Sequence, residues 1–212
     1  MLIELAAAAL ICLDPGHGTL PAVGRQTEPV GPGSRVVKIK DGGGAPGEAA
    51  VALAIARRTR ALLLGQGFRV AMTRTAAGYP GGNIARARFC NAHRAALMVR
   101  IHADGSTDPA LHGVSTLFPA FVRGWTDDVY SRSLRAARLV EQEVAAATGA
   151  VSRGIVRRSD LTGFNWADVP VVLLEAGFMS NPAERARLQS ASYQDRVARG
   201  LVAAVRRFVN SG

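Results

Sequence analysis

The segment Val169-Pro170-Val171-Val172-Leu173-Leu174-Glu175 is apolar at nearly every position until it ends on a carboxylate. A strand with one wet face alternates polar and apolar residues. A run without alternation is the signature of a strand covered on both faces, as in a parallel sheet. Working outward, helical patterns follow near Pro182–Gln189 and Tyr193–Val209. Upstream, short strand patterns at Ala9–Asp14, Phe68–Thr73, Ala96–His102, Val114–Phe118 and Gly154–Val156 are separated by helical ones at Glu48–Leu64, Ile84–Arg94 and Tyr130–Thr148. Strands alternating with helices predict an α/β fold: a single open, mixed but mostly parallel sheet of about six strands with helices on both faces. No internal repeat, low-complexity tract or linker interrupts it, so residues 1–212 are read as one domain, with no separate binding unit. Residues 18–47 hold eight glycines and four prolines without sustained periodicity, and read as a long surface loop.

Composition narrows the function classes. Apolar residues make up 48% and charged residues 20%, which is globular and excludes disorder. No uncharged apolar stretch is long enough to span a membrane. Twenty-six basic against 16 acidic residues leave a net charge of +10, which implies an anionic partner. Only 12 aromatic residues occur, with no helix-turn-helix or zinc-finger pattern, which argues against nucleic acid. Met1–Leu10 is apolar but carries Glu4 and no basic start, so it does not read as an intact secretion signal. Two cysteines, Cys12 and Cys90, are too few for a disulfide scaffold; buried free thiols are the favoured reading over a single bridge.

In open α/β sheets ligands bind beyond the carboxyl ends of the strands. Reading those ends gives Asp14-Pro15-Gly16-His17-Gly18, Ile101-His102-Ala103-Asp104 and Leu174-Glu175-Ala176-Gly177, with Glu48 opening the first long helix. Two imidazoles and a carboxylate can hold zinc and leave one position for water. A remaining carboxylate can then act as general base toward a water whose pKa the metal lowers to about 7. Each residue also has a plainer reading: His17 as a polar turn residue, His102 as a core histidine, Glu48 as a first-turn acid favoured by the helix dipole. The spacings, 31 and 54 residues, decide nothing. Glu175 is harder to dismiss, because a carboxylate ending an apolar run is costly unless paired, metal-bound or catalytic. His93 and His112 are read as surface residues.

Leu13-Asp14-Pro15-Gly16-His17-Gly18, the Glu48 helix, Met72-Thr73-Arg74, Arg86 with Asn91, Ile101-His102-Ala103-Asp104, Gly113-Val114, Arg153-Gly154-Ile155 and Glu175-Ala176-Gly177-Phe178-Met179-Ser180-Asn181 together resemble the zinc-dependent N-acetylmuramoyl-L-alanine amidases of the type-3 family. The matches fall in the family's order across nearly the whole chain. The resemblance implies that His17, Glu48 and His102 bind one zinc ion and that Glu175 is the catalytic carboxylate. It implies hydrolysis of the amide between the lactyl group of N-acetylmuramic acid and the L-alanine of the peptidoglycan stem, by a monomer in the cell envelope or secreted. Other anionic wall polymers are then candidate partners for the +10 charge. Three departures stand out: Arg100 where the family usually has serine, Asp104 where asparagine is commoner, and a longer stretch between His17 and Glu48. The rival readings are a zinc peptidase cutting within the stem peptide, a metal-less binding module, and a basic nucleic-acid-binding protein.

Overall fold

The computed structural model describes residues 9–211. The reading of the N-terminal stretch falls largely on residues 1–8, outside the described residues. In chain order the elements are β1 (Leu10–Pro15), α1 (Pro21–Gly24), β2 (Thr27–Pro29), β3 (Val37–Ile39), α2 (Glu48–Gly65), β4 (Arg69–Met72), α3 (Asn83–Ala92) and β5 (Leu97–His102). There follow β6 (Val114–Pro119), α4 (Tyr130–Thr148), β7 (Ser152–Arg158), α5 (Thr162–Asn165), β8 (Val171–Glu175), α6 (Pro182–Gln189) and α7 (Ala191–Asn210). Six strands form one sheet in the order β4-β1-β5-β8-β6-β7. Only the β6–β8 pairing is antiparallel, so β4, β1, β5 and β8 end on the same edge.

Side-chain alternation explains why the central strands are apolar throughout. Ile11, Leu13, Val99, Ile101, Val172 and Leu174 enter the larger core beneath α2, α4 and α7. Their neighbours Cys12, Met98, Val171 and Leu173 enter a smaller core on the opposite face with Cys90 of α3 and Phe164 of α5. That second face changes character along its length. Past the apolar half, the positions continuing it are Asp14, Arg100, His102 and Glu175, at the carboxyl ends. In register, Asp14 lies beside Arg100 and His102 beside Glu175. The sheet thus delivers charged groups to one rim by continuing a single parity.

Two readings need correction. Cys12 and Cys90 are not free thiols but a disulfide, with Cα atoms 5.6 Å apart. Both side chains point into the smaller core, where β1 and α3 pack together, a proximity that a separation of 78 residues does not reveal. Residues 18–47 are not a featureless loop. They fold into α1 and the antiparallel hairpin β2–β3, and Glu28 of that hairpin is buried, accepting hydrogen bonds from Asn83 and Ile84 N–H at the start of α3. His93 and His112 are exposed, as read. No helix among the described residues is long and apolar enough to cross a membrane.

Candidate active site

The turn after β1 carries His17 in the left-handed region, at φ 56°. An L-residue there costs about 1–2 kcal/mol, so the turn needs support. Two buried arginines provide it. Arg74 donates to the carbonyls of Pro15, Gly16 and Ala49, and Arg86 donates to those of Pro15 and His17. Gly16 is required by its neighbour, since a Cβ there would collide with the His102 ring.

Glu48 is the first residue of α2, following Gly47 in a left-handed cap. Its Oε2 accepts from Ala45 N–H (2.9 Å) and its Oε1 from Ala103 N–H (3.2 Å), so the helix start fixes the carboxylate toward the rim. His17 Nε2 lies 3.1 Å and His102 Nδ1 3.0 Å from the same Oε1. Gly44 passes so close that a Cβ would strike both Glu48 and His17. Glu175, at the end of β8, is 8% exposed and lines the same cleft of about 720 Å³ as His17, Glu48 and His102. All four residues singled out in the sequence therefore meet at one place.

The sequence reading missed Asp41, which lies just past the hairpin. Its Oδ1 sits 2.6 Å from His17 Nδ1, and Thr19 and Gly43 N–H groups also bond its carboxylate. In a neutral imidazole this leaves the His17 lone pair on Nε2, facing Glu48. Asp41 was visible only as one charge of the 18–47 stretch, with nothing local to pair it to His17.

Electrostatics follow from this packing. Burial opposes the charge on Glu48, yet hydrogen bonds to His102 and His17 hold its carboxyl far below the usual carboxylate range. Burial likewise works against His17, but the bonds to Asp41 and Glu48 raise it to about 9. His102 is lowered, chiefly by burial. Glu175 is pushed well above its ordinary value, first by burial and then by the nearby charges of Asp104 and Glu48.

The donor set fits a metal ion. One ligand atom from each of His17, Glu48 and His102 lies within 4.8 Å of the others. Ligands about 2.0–2.1 Å from a tetrahedral zinc are roughly 3.3 Å apart, close to the separations on Glu48 Oε1. His102 Nε2 and Glu175 Oε2 are buried polar atoms without hydrogen-bond partners. His17 Nε2 and His102 Nδ1 crowd the same Glu48 oxygen, and a cation among the three groups would take a lone pair from each.

Comparison with known proteins places this arrangement. The family model described as N-acetylmuramoyl-L-alanine amidase (Amidase_3) matches residues 11–207. This chain belongs to that family. Among its relatives, the N-acetylmuramoyl-L-alanine amidase Rv3717 of Mycobacterium tuberculosis is 29% identical, over 96% of this chain and 87% of the relative. AmiC of Neisseria meningitidis is 27% identical over 95% of this chain, which spans about half (53%) of that longer protein. The crystal structure of the amidase Ami1 from Mycobacterium smegmatis superposes with a TM-score of 0.86 at 29% identity, covering 96% of this chain and 98% of that one. This amidase is accordingly a hydrolase of cell-wall peptidoglycan.

Proposed function

We propose that this amidase works with one zinc ion held by His17, Glu48 and His102, and that Glu175 is the carboxylate that moves the proton. The observation that carries the reading is the convergence of those three donors in the cleft that also holds the unpartnered Glu175 Oε2. When bound, zinc supplies polarisation of the scissile carbonyl and acidification of the attacking water. Glu175 accepts the proton as the water oxygen bonds to the lactyl carbonyl carbon. It then returns that proton to the L-alanine nitrogen as the C–N bond breaks, leaving a lactyl carboxylate on the sugar and a free amine on the peptide. Asp41 keeps the His17 ring turned toward Glu48, and Arg74 and Arg86 hold the turn that carries it.

The test is the mass of the products from a defined muropeptide. Intact glycan and a peptide beginning with L-alanine are expected; peptides shortened at any other bond would replace this reading with stem-peptide cleavage.

The setting follows from the substrate: the domain acts in the cell envelope or outside the cell. Its charge of +10 supports adhesion to anionic wall polymers by the catalytic domain itself. Sedimentation with purified walls should weaken as salt is raised, and salt-independent binding would refute the electrostatic part.

A further inference from the structure

A second, smaller pocket of about 180 Å³ adjoins the catalytic cleft and shares His17, His102, Gly42 and Leu161 with it. Arg100 and Arg86 line it from the sheet side, and Lys38 and Lys40 of the hairpin segment from the other. We propose that this pocket binds a carboxylate of the peptidoglycan fragment, with Arg100 as its anchor. The proposal rests on the peptidoglycan reading above and adds a specificity-determining residue to it.

The argument is one of charge and satisfaction. Asp14, fully buried, pairs through Oδ1 with Arg86 Nη1 (2.8 Å) and through Oδ2 with Arg100 Nε (2.8 Å). Two buried guanidinium groups thus share one carboxylate. Arg74, close behind, bonds only backbone carbonyls and adds charge without an acid of its own. The acids facing the pocket are already engaged: Asp41 by His17 and two backbone N–H groups, and Asp160 by Lys38 and Arg158. Lys40 bonds the neutral Gln26. Glu28, buried beside the Lys40 stem, bonds the Asn83 and Ile84 N–H groups rather than a guanidinium, so around Asp14 three guanidinium groups still meet one carboxylate, and a buried uncompensated charge is expensive unless an anion meets it.

Arg100 is placed to meet one. It is 4% exposed, its Nη2 donates to Asn83 Oδ1 (2.6 Å), and its Nη1 has no hydrogen-bond partner among the described residues. Gly163 makes room for that end of the guanidinium, since a Cβ there would collide with Nη1. A serine at this position would leave Asp14 and Arg86 as a neutral pair and remove the excess. Arg100 also lies two residues before His102 on the same strand face, so a carboxylate held there is within the length of a short peptide from the scissile bond.

Two carboxylates of the substrate share this chemistry: the free α-carboxylate of an acidic residue in the stem peptide, and the lactyl carboxylate that hydrolysis releases. The experiment compares kcat/KM for two muramoyl peptides that differ only in whether the acidic residue's α-carboxyl is free or amidated. The ratio within one protein preparation is independent of its folded fraction, so instability of a variant cancels. The native protein is expected to prefer the free carboxylate by about 10-fold or more, the range of a hydrogen-bonded charge pair. Arg100→Ser should bring the ratio near one, and Arg100→Lys should retain part of it. If the native ratio is near one but N-acetylmuramic acid inhibits, and inhibits Arg100→Ser at least 10-fold less, the pocket holds the lactyl carboxylate instead. A native ratio near one without such inhibition, or a preference that survives in Arg100→Ser, overturns the proposal. If Arg100→Ser does not fold, Gly163→Ala, which displaces the Nη1 end while keeping the charge, should lower the preference, and an unchanged ratio counts against Arg100. Failure to open the lactyl–alanine bond in either peptide would instead overturn the amidase mechanism, and calorimetric binding of the two free peptides then decides the pocket.

Discussion

Asp41→Asn tests whether the 18–47 segment belongs to the metal site. In the native protein the Asp41 carboxylate accepts from His17 Nδ1 at 2.6 Å and from Thr19 and Gly43 N–H at 3.0 and 2.8 Å. Asparagine keeps the shape and one acceptor oxygen, so the two backbone bonds survive in part. The negative charge behind His17 is lost. That charge makes Nε2 a better donor and fixes which nitrogen carries the proton. Removing such a partner lowers metal affinity by about 10- to 100-fold, which at roughly 1.4 kcal/mol per tenfold is about 1.4–2.8 kcal/mol. The assay is zinc titration against a chelator of known affinity. Turnover at saturating zinc is measured in parallel and should fall far less than affinity, because Glu175 and the cleft are untouched. The metal-free variant should melt within a few degrees of the metal-free native protein. An Asp41→Asn protein that binds zinc within twofold of native would refute the claim that Asp41 orients His17.

Glu175→Gln should match the native protein in zinc titration yet lose turnover by on the order of 10²–10⁴; retained turnover removes Glu175 from proton transfer. Asp14→Asn leaves Arg86 and Arg100 without their shared carboxylate and should cost about 3–5 kcal/mol in urea unfolding. The pH dependence has a definite sign: burial opposes ionisation of Asp14, but Arg86 and Arg100 hold its folded carboxyl far below the ordinary aspartate value of about 3.9. Its contribution is therefore complete above that value and is lost as pH falls below it, so native stability should drop in acid and the Asn variant should show a shallower drop. Reducing Cys12–Cys90, which closes a loop of 78 residues, should lower stability by about 4.5 kcal/mol from chain entropy; a melting temperature insensitive to reductant would contradict that.

How far the sequence was legible depended on the range of the signal. β8 was readable because a strand covered on both faces is apolar at every step, and the carboxylate ending it at once singled out Glu175. His17, Glu48 and His102 were readable as candidates because each sits at an element end. Their convergence is a property of strand order, which places β5 between β1 and β8 and which no local pattern encodes. Asp41 was opaque for the same reason: it reaches His17 only after a hairpin of three-residue strands has formed, too short to show a period. The helix α5, four residues long, was missed likewise. Glu141 stands among the arginines of α4, with no local sign of burial. It is in fact buried, accepting from Thr116, Ser152 and Gly154 where α4 crosses β6 and β7. Arg100 looked like a departure in a strand, and its meaning emerged only with Asp14 in register beside it.

The central claim is that His17, Glu48 and His102 hold a single zinc ion in the cleft lined by Glu175. Anomalous diffraction from zinc-loaded crystals, measured on either side of the zinc absorption edge, tests it most directly. The account predicts one peak per chain, bonded to those three residues, with the Glu175 carboxyl facing it across the cleft. A peak elsewhere, or none at saturating zinc, would contradict it.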